Sequence, residues 1–377
     1  MRNIIFLLLL TPFFSIAQNQ YKTEIVLQPN EKWWGGFVGL GHNMPFEKNL
    51  ELQDLAVQNY NNQNAPLLIS SNGRYVWSDD PFKFSIQDNK ISLFSDVEEL
   101  KIVQAGKTLR EAFLNASKLY FPSSGKMPEP LFFSVPQYNT WIELMYNQNQ
   151  EDILKYAHNV KEHNFPEGVF MIDDNWQKHY GNFEFKPEKF PDPKAMIRQL
   201  HQMGFKIMLW VCPFVSADSP EYRDLEERGF LIKTKGKSKP AMIEWWNGFS
   251  ASYDLTNPKA VEYFKSQLRT LQDEYGVDGF KFDAGDMQYF NGEYSLFEKD
   301  ASAVDLSKKW AEIGLDFPYN EYRASWKMGG TELVQRLGDK DYSWAALQSL
   351  IPQAATAGLL GYSYICPDMI GGGNYKA

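Results

Sequence analysis

Two aspartates stand where side chains can do acid, base or nucleophilic work. Asp283 follows Gly279-Phe-Lys-Phe and precedes Ala-Gly-Asp286, and Asp339 lies in Gly338-Asp-Lys-Asp-Tyr-Ser-Trp344. Each follows an apolar stretch and sits among glycines, where a strand ends and a loop begins. A carboxylate pair so placed suits glycoside chemistry, in which one acid meets a developing oxocarbenium ion and the other handles the proton. Further charged groups recur at corresponding places: Asp173 and Asp174 in Ile172-Asp-Asp-Asn-Trp-Gln177, Lys281 two residues before Asp283, Arg323, and Asp368. A single Asp after a strand is as readily a turn former or a helix cap. Recurrence at one end of successive strands is what points to function.

Those strands follow one another with helices between them. Beyond Leu131, apolar strand-length runs alternate with amphipathic helix-length runs. The predicted strands are Phe132 to Trp141, Gly168 to Asp173, Phe205 to Val211, Val277 to Phe282, Asp316 to Asn320, the residues before Asp339, and Leu360 to Ile365. Helices are predicted around Glu151 to His163 and Lys194 to Met203, after Asn257-Pro258, and across Leu347 to Ala354. Repetition of this kind implies a parallel sheet, and the number of units favours an α/β (β/α)8 TIM barrel. In such a barrel the functional side chains sit at the C-terminal strand ends, which is where the carboxylates fall. The segment from Val215 to Tyr253 is long for a strand-to-helix connection and is expected to shape the mouth, with Trp245-Trp246-Asn247 either a sugar platform or packing.

Before the barrel, residues 18–125 read as an all-β sandwich domain. Phe82 to Ile86 and Ile91 to Phe94 form a hairpin pattern, and Ser71-Asn-Gly73 marks another turn. Pro122-Ser-Ser-Gly125 and Pro128-Glu-Pro130 form the boundary to the barrel at 131–377. Residues 1–17 have a basic start, an apolar run from Ile4 to Leu10 and a small residue at Ala17, the pattern of a cleaved signal peptide. A secreted or periplasmic protein is expected, with no membrane span after cleavage.

A formal charge of −9 argues against binding the nucleic-acid backbone. The two cysteines, Cys212 and Cys366, exclude a disulfide scaffold and a thiolate metal cluster. Aromatics form 15% of the chain, with 11 Trp and 20 Tyr, enough to stack on sugar faces as well as to fill a core.

The motifs resemble those of glycoside hydrolase family 31. Gly-Val-Asp-Gly-Phe-Lys-Phe-Asp283 resembles its nucleophile strand, and Gly338-Asp339 with Trp344 resembles its acid/base loop. Arg323 is similar in spacing to its sugar-binding Arg. Gly361-Tyr-Ser-Tyr-Ile-Cys-Pro-Asp368-Met-Ile-Gly-Gly372 is similar to its Gly-x-Asp-Ile-Gly-Gly signature, with Met369 inserted. The resemblance implies a retaining exo-α-glycosidase without metal or organic cofactor, acting on a terminal sugar of an oligosaccharide or glycoside. Asp283 would be the nucleophile with Lys281 favouring its ionised form, and Asp339 the general acid and base, about 5 to 5.5 Å away. Asp341 competes with Asp339 for the proton role. Asp173, Arg323 and Asp368 would bind sugar hydroxyls, and Trp210 would line the floor. Asp286 would orient the nucleophile loop, and Arg336 would pair with a carboxylate.

Asp173-Asp174-Asn-Trp176 departs from the Asp-x-Asp pattern of family α-glucosidases. It resembles the Asp-Asp-x-Trp of clan D α-galactosidases and of a galactose-active branch of family 31, with Asp174 accepting from sugar hydroxyls and Trp176 covering the ring. An α-galactosidase is therefore expected, with α-glucosidase, α-xylosidase and a noncatalytic carbohydrate-binding remnant as alternatives. Family barrels continue to an eighth strand bearing a His, whereas no His follows Asp339 here, so the barrel is expected to lack its last unit.

Overall fold

The computed structural model describes residues 20–46 and 49–368. The expected leader and the residues from Met369 onward lie outside them.

The N-terminal part holds β1 (Tyr21–Val26), β2 (Trp33–Phe37), β3 (Leu50–Asp54), β4 (Asn64–Ser70), β5 (Arg74–Trp77), β6 (Lys83–Gln87), β7 (Lys90–Ser95) and β8 (Ile102–Gln104). They form two antiparallel sheets, ordered β1-β7-β6-β3 and β2-β4-β5-β8. Ile25, Trp33, Phe37, Leu68, Val76, Phe84 and Ile91 from both sheets bury into one cluster. The β6–β7 pairing of Gln87 with Lys90 leaves Asp88 and Asn89 as a two-residue turn at φ 48° and 59°. Asn and Asp tolerate that left-handed region, and such turns match the strands' twist. One expectation fails here. α1 (Leu109–Tyr120) is a helix opened by a Thr108–Glu111 capping box. Its buried positions are Ala112 and Ala116, too small to show as an apolar stripe in sequence.

The second part runs α2 (Leu131–Ser134), β9 (Tyr138–Asn139), α3 (Trp141–Leu144), α4 (Gln150–Glu162), β10 (Val169–Ile172), α5 (Pro193–Gln202), β11 (Lys206–Val211), β12 (Phe214–Ser216), α6 (Pro220–Arg228), β13 (Lys233–Thr234), β14 (Ile243–Trp245), β15 (Gly248–Ser252), α7 (Pro258–Tyr275), β16 (Gly279–Phe282), β17 (Tyr294–Ser295), α8 (Ala303–Ile313), β18 (Tyr319–Tyr322), β19 (Gln335–Arg336), α9 (Trp344–Leu359) and β20 (Ile365–Cys366). Seven strands make a parallel sheet in the order β20-β19-β18-β16-β11-β10-β9. Among the described residues β9 and β20 are its edges. The predicted strand from Phe132 to Trp141 shrinks to two residues because Pro136 cannot donate to a ladder and Pro130 leads into the short helix α2. The long insertion folds on itself as the sheet β12-β15-β14.

Strand alternation sorts the side chains into two layers. Phe170, Ile172, Ile207, Leu209, Phe280 and Phe282 join the core with the surrounding helices. Val169, Met171, Met208, Val334 and Cys366 meet in a separate inner cluster. Residues two further along these inner rows are Asp173, Trp210, Arg336 and Asp368. No helix among the described residues is long and apolar enough to cross a membrane.

Gly279 faces Tyr319 across the β16–β18 ladder, and a Cβ there would lie 1.9 Å from the Tyr319 carbonyl oxygen. Gly279→Ala is expected to cost about 2–3 kcal/mol in urea unfolding. Gly358→Ala, in α9 with nothing within 4 Å of an added Cβ, is expected to be neutral or stabilising by up to about 1 kcal/mol.

Candidate active site

In the register of the parallel sheet, Trp210 on β11 sits beside Lys281 on β16, and Lys281 beside Glu321 on β18. These side chains line one level of the interior. Asp173, Asp283 and Arg323 follow one step later, just past the C-terminal strand ends, and Arg336 enters from β19. All are buried. Each charged group must therefore find its partner inside the protein.

Arg336 supplies most of those partners. Its Nη1 donates to Asp339 Oδ1 at 2.6 Å and lies 3.4 Å from Asp368 Oδ1, while Nη2 reaches Asp283 Oδ1 at 3.3 Å and Nε lies 3.8 Å from Glu321 Oε1. Asp283 and Asp339 thus share the two terminal nitrogens of one guanidinium. The second oxygen of Asp283 accepts from Trp210 Nε1 at 2.8 Å. Arg323 donates from Nε to Asp286 Oδ2 at 3.1 Å and lies 4.0 Å from Asp283 and 3.9 Å from Asp339. Its guanidinium also covers the Trp246 ring at 5.0 Å. Lys281 bonds Asp173 Oδ2 at 2.6 Å, and Asn139 donates to the same oxygen at 2.7 Å. Asp174 accepts from Tyr180 at 3.1 Å and Asn247 at 3.0 Å through Oδ2, and its buried Oδ1 has no partner.

Lys281, Arg323 and Arg336, with Lys340 acting on Asp339 and Asp368 from the next position along the loop, stand against seven carboxyls, Asp173, Asp174, Asp283, Asp286, Glu321, Asp339 and Asp368. Burial disfavours charge on most of them, whereas the Asp339 side chain is 58% exposed, and the balance between burial and nearby cations differs from one carboxyl to the next. Burial works to raise Asp283, but Arg336, Arg323, Lys281 and the Trp210 hydrogen bond together hold it well below the carboxylate range. Asp339 is lowered by Arg336 first, against burial. Burial, reinforced by the Asp173 charge, pushes Asp174 up to about 7. Burial outweighs Lys281 and Arg336 at Glu321 and takes it to about 7 as well. Burial also raises Asp368.

Asp173, Asp174, Trp210, Trp246, Lys281, Asp283, Arg323 and Asp339 line a cavity of about 350 Å³, joined by Asn61, Trp141, Tyr146, Tyr289 and Arg336. That is room for a small polar ligand. Two expected ligand contacts are not there. Trp176 is fully buried and donates its indole N–H to the Trp210 carbonyl at 2.8 Å, so it supports Trp210 from behind instead of covering a sugar. Asp368, at φ 67°, balances Arg336 without lining the cavity. Lys281 reaches Asp283 through its charge, not by a bond. The insertion tryptophans divide: Trp245 is buried, whereas Trp246 is 42% exposed at the cavity. Asp341 caps α9 through Ser343 and is exposed.

Reading the sequence missed Glu321, Tyr180 and Tyr289, while Asn247, marked with the insertion tryptophans as a sugar platform, donates to Asp174. Glu321 had a signal, being a charged residue at an inward position of an otherwise buried strand. The others lie on loops whose return to the cavity no local pattern encodes. No group of His, Cys, Asp or Glu among the described residues is arranged to hold a metal ion.

A parallel α/β sheet with a carboxylate-lined cavity at its C-terminal edge is the arrangement of an α/β-barrel protein. The profile of the Glycosyl hydrolases family 31 TIM-barrel domain matches residues 133–335. The chain belongs to glycoside hydrolase family 31. It is 34% identical to the mouse myogenesis-regulating glycosidase over 257 residues, covering 67% of this chain and 36% of that protein. It is 28% identical to the α-xylosidase XylQ of Lactiplantibacillus pentosus, over 67% of this chain and 34% of the relative. A Flavobacterium johnsoniae family 31 dextranase solved with glucose has the same fold, with TM-score 0.72, 17% identity, and coverage of 90% of this chain and 46% of that one. The chain thus spans about a third of the length of these two sequence relatives.

Asp174 keeps a proton in the folded state that the unfolded chain releases between about pH 4 and 7. Its contribution is complete below about pH 4 and is lost as pH rises through about 7. Urea unfolding of Asp174→Asn at pH 4.5, 6 and 8 is expected to show a flatter decline than wild type. Glu321, raised to about 7 also, keeps part of the slope.

Proposed function

We propose that the protein is an exported retaining exo-α-glycosidase that removes a terminal sugar by double displacement. The observation that carries this reading is the sharing of Arg336 by Asp283 and Asp339 at one cavity. Asp283, kept anionic by two guanidinium groups, attacks the anomeric carbon while Asp339 gives a proton to the departing oxygen. The C–O bond to the leaving group breaks and an ester to Asp283 forms. Asp339 then takes a proton from water, whose oxygen displaces Asp283 and restores the anomer. Trp210 holds the nucleophile oxygen through its N–H, and Arg323 is placed to donate to substrate hydroxyls beside both acids.

Since both acids are lowered, and turnover needs Asp283 ionised but Asp339 protonated, rising pH removes the working form through Asp339. An optimum acid of neutrality follows, readable from a kcat/KM profile.

For the sugar, we infer an α-galactoside. Asp174 lines the cavity beside Asp173, so a second carboxyl stands at the wall where a hydroxyl beyond the reach of Asp173 can be bonded. Family relatives named as α-xylosidases make the xyloside the comparison that matters.

The full-length protein is expected to cleave aryl α-galactoside faster than α-glucoside or α-xyloside, with retention seen by proton NMR. Asp283→Ala should lower turnover roughly ten-thousandfold. Unchanged turnover in that variant would end the nucleophile assignment, and sugar binding without turnover by wild type would favour a carbohydrate-binding protein.

A further inference from the structure

Between β3 and β4, the β-domain sends the segment Asn59-Tyr-Asn-Asn-Gln-Asn64 into the C-terminal edge of the barrel sheet. Asn59, Gln63 and Asn64 are 0% exposed and Asn62 is 3% exposed. Four of its residues, Asn59, Asn62, Gln63 and Asn64, hold the barrel by hydrogen bonds. Asn59 Nδ2 donates to Asp286 Oδ1 at 3.0 Å, and Asp286 in turn holds Arg323. Asn62 Oδ1 accepts from the backbone N–H of Gly338 at 2.8 Å, next to Asp339, while its own amide donates to the Tyr60 carbonyl at 2.8 Å. Gln63 Nε2 donates to the carbonyls of Arg323, at 3.0 Å, and Arg336, at 2.9 Å. Asn64 donates from its backbone to the Ser325 carbonyl at 3.1 Å and accepts from Lys327 at 3.0 Å.

The Gln63 bonds are the telling ones. Arg323 and Arg336 leave the ends of the neighbouring strands β18 and β19, whose ladder registers a single pair, Tyr322 with Gln335. So short a ladder leaves the strand ends weakly spaced. One amide nitrogen bonded to both carbonyls replaces the missing rung. Both partners are acceptors, so the bridging group must offer two N–H bonds.

We propose that Gln63 is a positioning residue that sets the separation of Arg323 and Arg336, and through them the placement of Asp283 and Asp339, so that the β-domain completes the catalytic centre. This rests on the glycosidase reading. Gln63 touches no reacting atom. It acts through the two guanidinium groups, each of which faces Asp283 or Asp339 only while its backbone is held.

The test uses Gln63→Met, which keeps volume and removes both donors, in the full-length protein. The readouts are stability and the kcat/KM pH profile on the aryl α-glycoside that wild type turns over best. The groups facing Asp283 are Arg336 from β19, Arg323 after β18, Lys281 on its own strand, Asp339, Asp174 after β10, and Cys212 and Tyr289. Only the two arginines are tethered to Gln63. The expected result is a fall in kcat/KM of about tenfold or more, with the acidic limb moved to higher pH by about half a unit or more as Asp283 loses its cations. A folded variant with the wild-type acidic limb overturns the proposal, however much its melting temperature drops. Should Gln63→Met not fold, Gln63→Asn, whose shorter amide cannot span both carbonyls, carries the same comparison. If wild type shows no turnover, the glycosidase reading fails by itself. Carbon-13 NMR titration of the Asp283 carboxyl in wild type and variant then decides the positioning role.

Discussion

Everything at the C-terminal edge of this sheet depends on one buried guanidinium at the wall of the cavity. Arg336 is 3% exposed, and it faces Asp283, Asp339, Asp368 and Glu321 together. Burying one charge uncompensated would cost several kcal/mol, and four carboxyls around one cation create the opposite excess. The protein resolves it by letting some acids hold protons. Glu321 moves up to about 7 and Asp368 is raised as well, while Asp283 and Asp339 are held down. Burial and the guanidinium groups together thus sort neighbouring carboxyls into anions and acids. Such sorting is what a two-carboxylate reaction needs.

The sorting works only at fixed distances, and the sheet alone is poorly suited to fixing them. β19 and β20 are two residues each, and the ladder from β18 to β19 registers one pair. Rigidity at that edge comes instead from outside the barrel, through amides of the β-domain loop that bond backbone carbonyls and Asp286. Tyr362 adds a further tie, its hydroxyl donating to the Asn64 carbonyl at 2.7 Å. The two parts of the chain therefore share one polar, buried seam beside the cavity. The bonds that do cross it, from Asn59, Asn62, Gln63 and Asn64, make its register specific.

Much of the barrel was legible from local pattern. Asn257 and Pro258 opened a helix with an apolar stripe, and Gly276 closed it at φ 82°. Buried parallel strands showed as continuous apolar runs, as for Val169 to Ile172 and Ile207 to Val211. Where the reading failed, the cause was equally local. α1 buries alanines, which leave no apolar signature, and the strand expected before Trp141 carries a proline. Trp176 shows the limit for site residues. Its place after a strand and two acids marked it as near the cavity, but whether an indole faces the ligand or the core depends on what packs against it. Here Phe185 lies 4.7 Å from its ring and the Trp210 carbonyl takes its N–H.

The sequence by itself determined which residues stand at strand ends, because alternation and strand length are local properties: Asp173, Asp283, Arg323 and Asp339 all reach the cavity. It also determined family membership through motifs whose spacing survives in one dimension. Only the tertiary structure decided how those charges divide protons among themselves, since that depends on Arg336 lying within 4 Å of acids from three different strand ends. It alone decided, too, that an Asn-rich turn nearly three hundred residues before Gly338 would hold the loop beside Asp339. Electrostatic energy and hydrogen bonding fall off with distance in space, and the sequence carries no direct record of that distance.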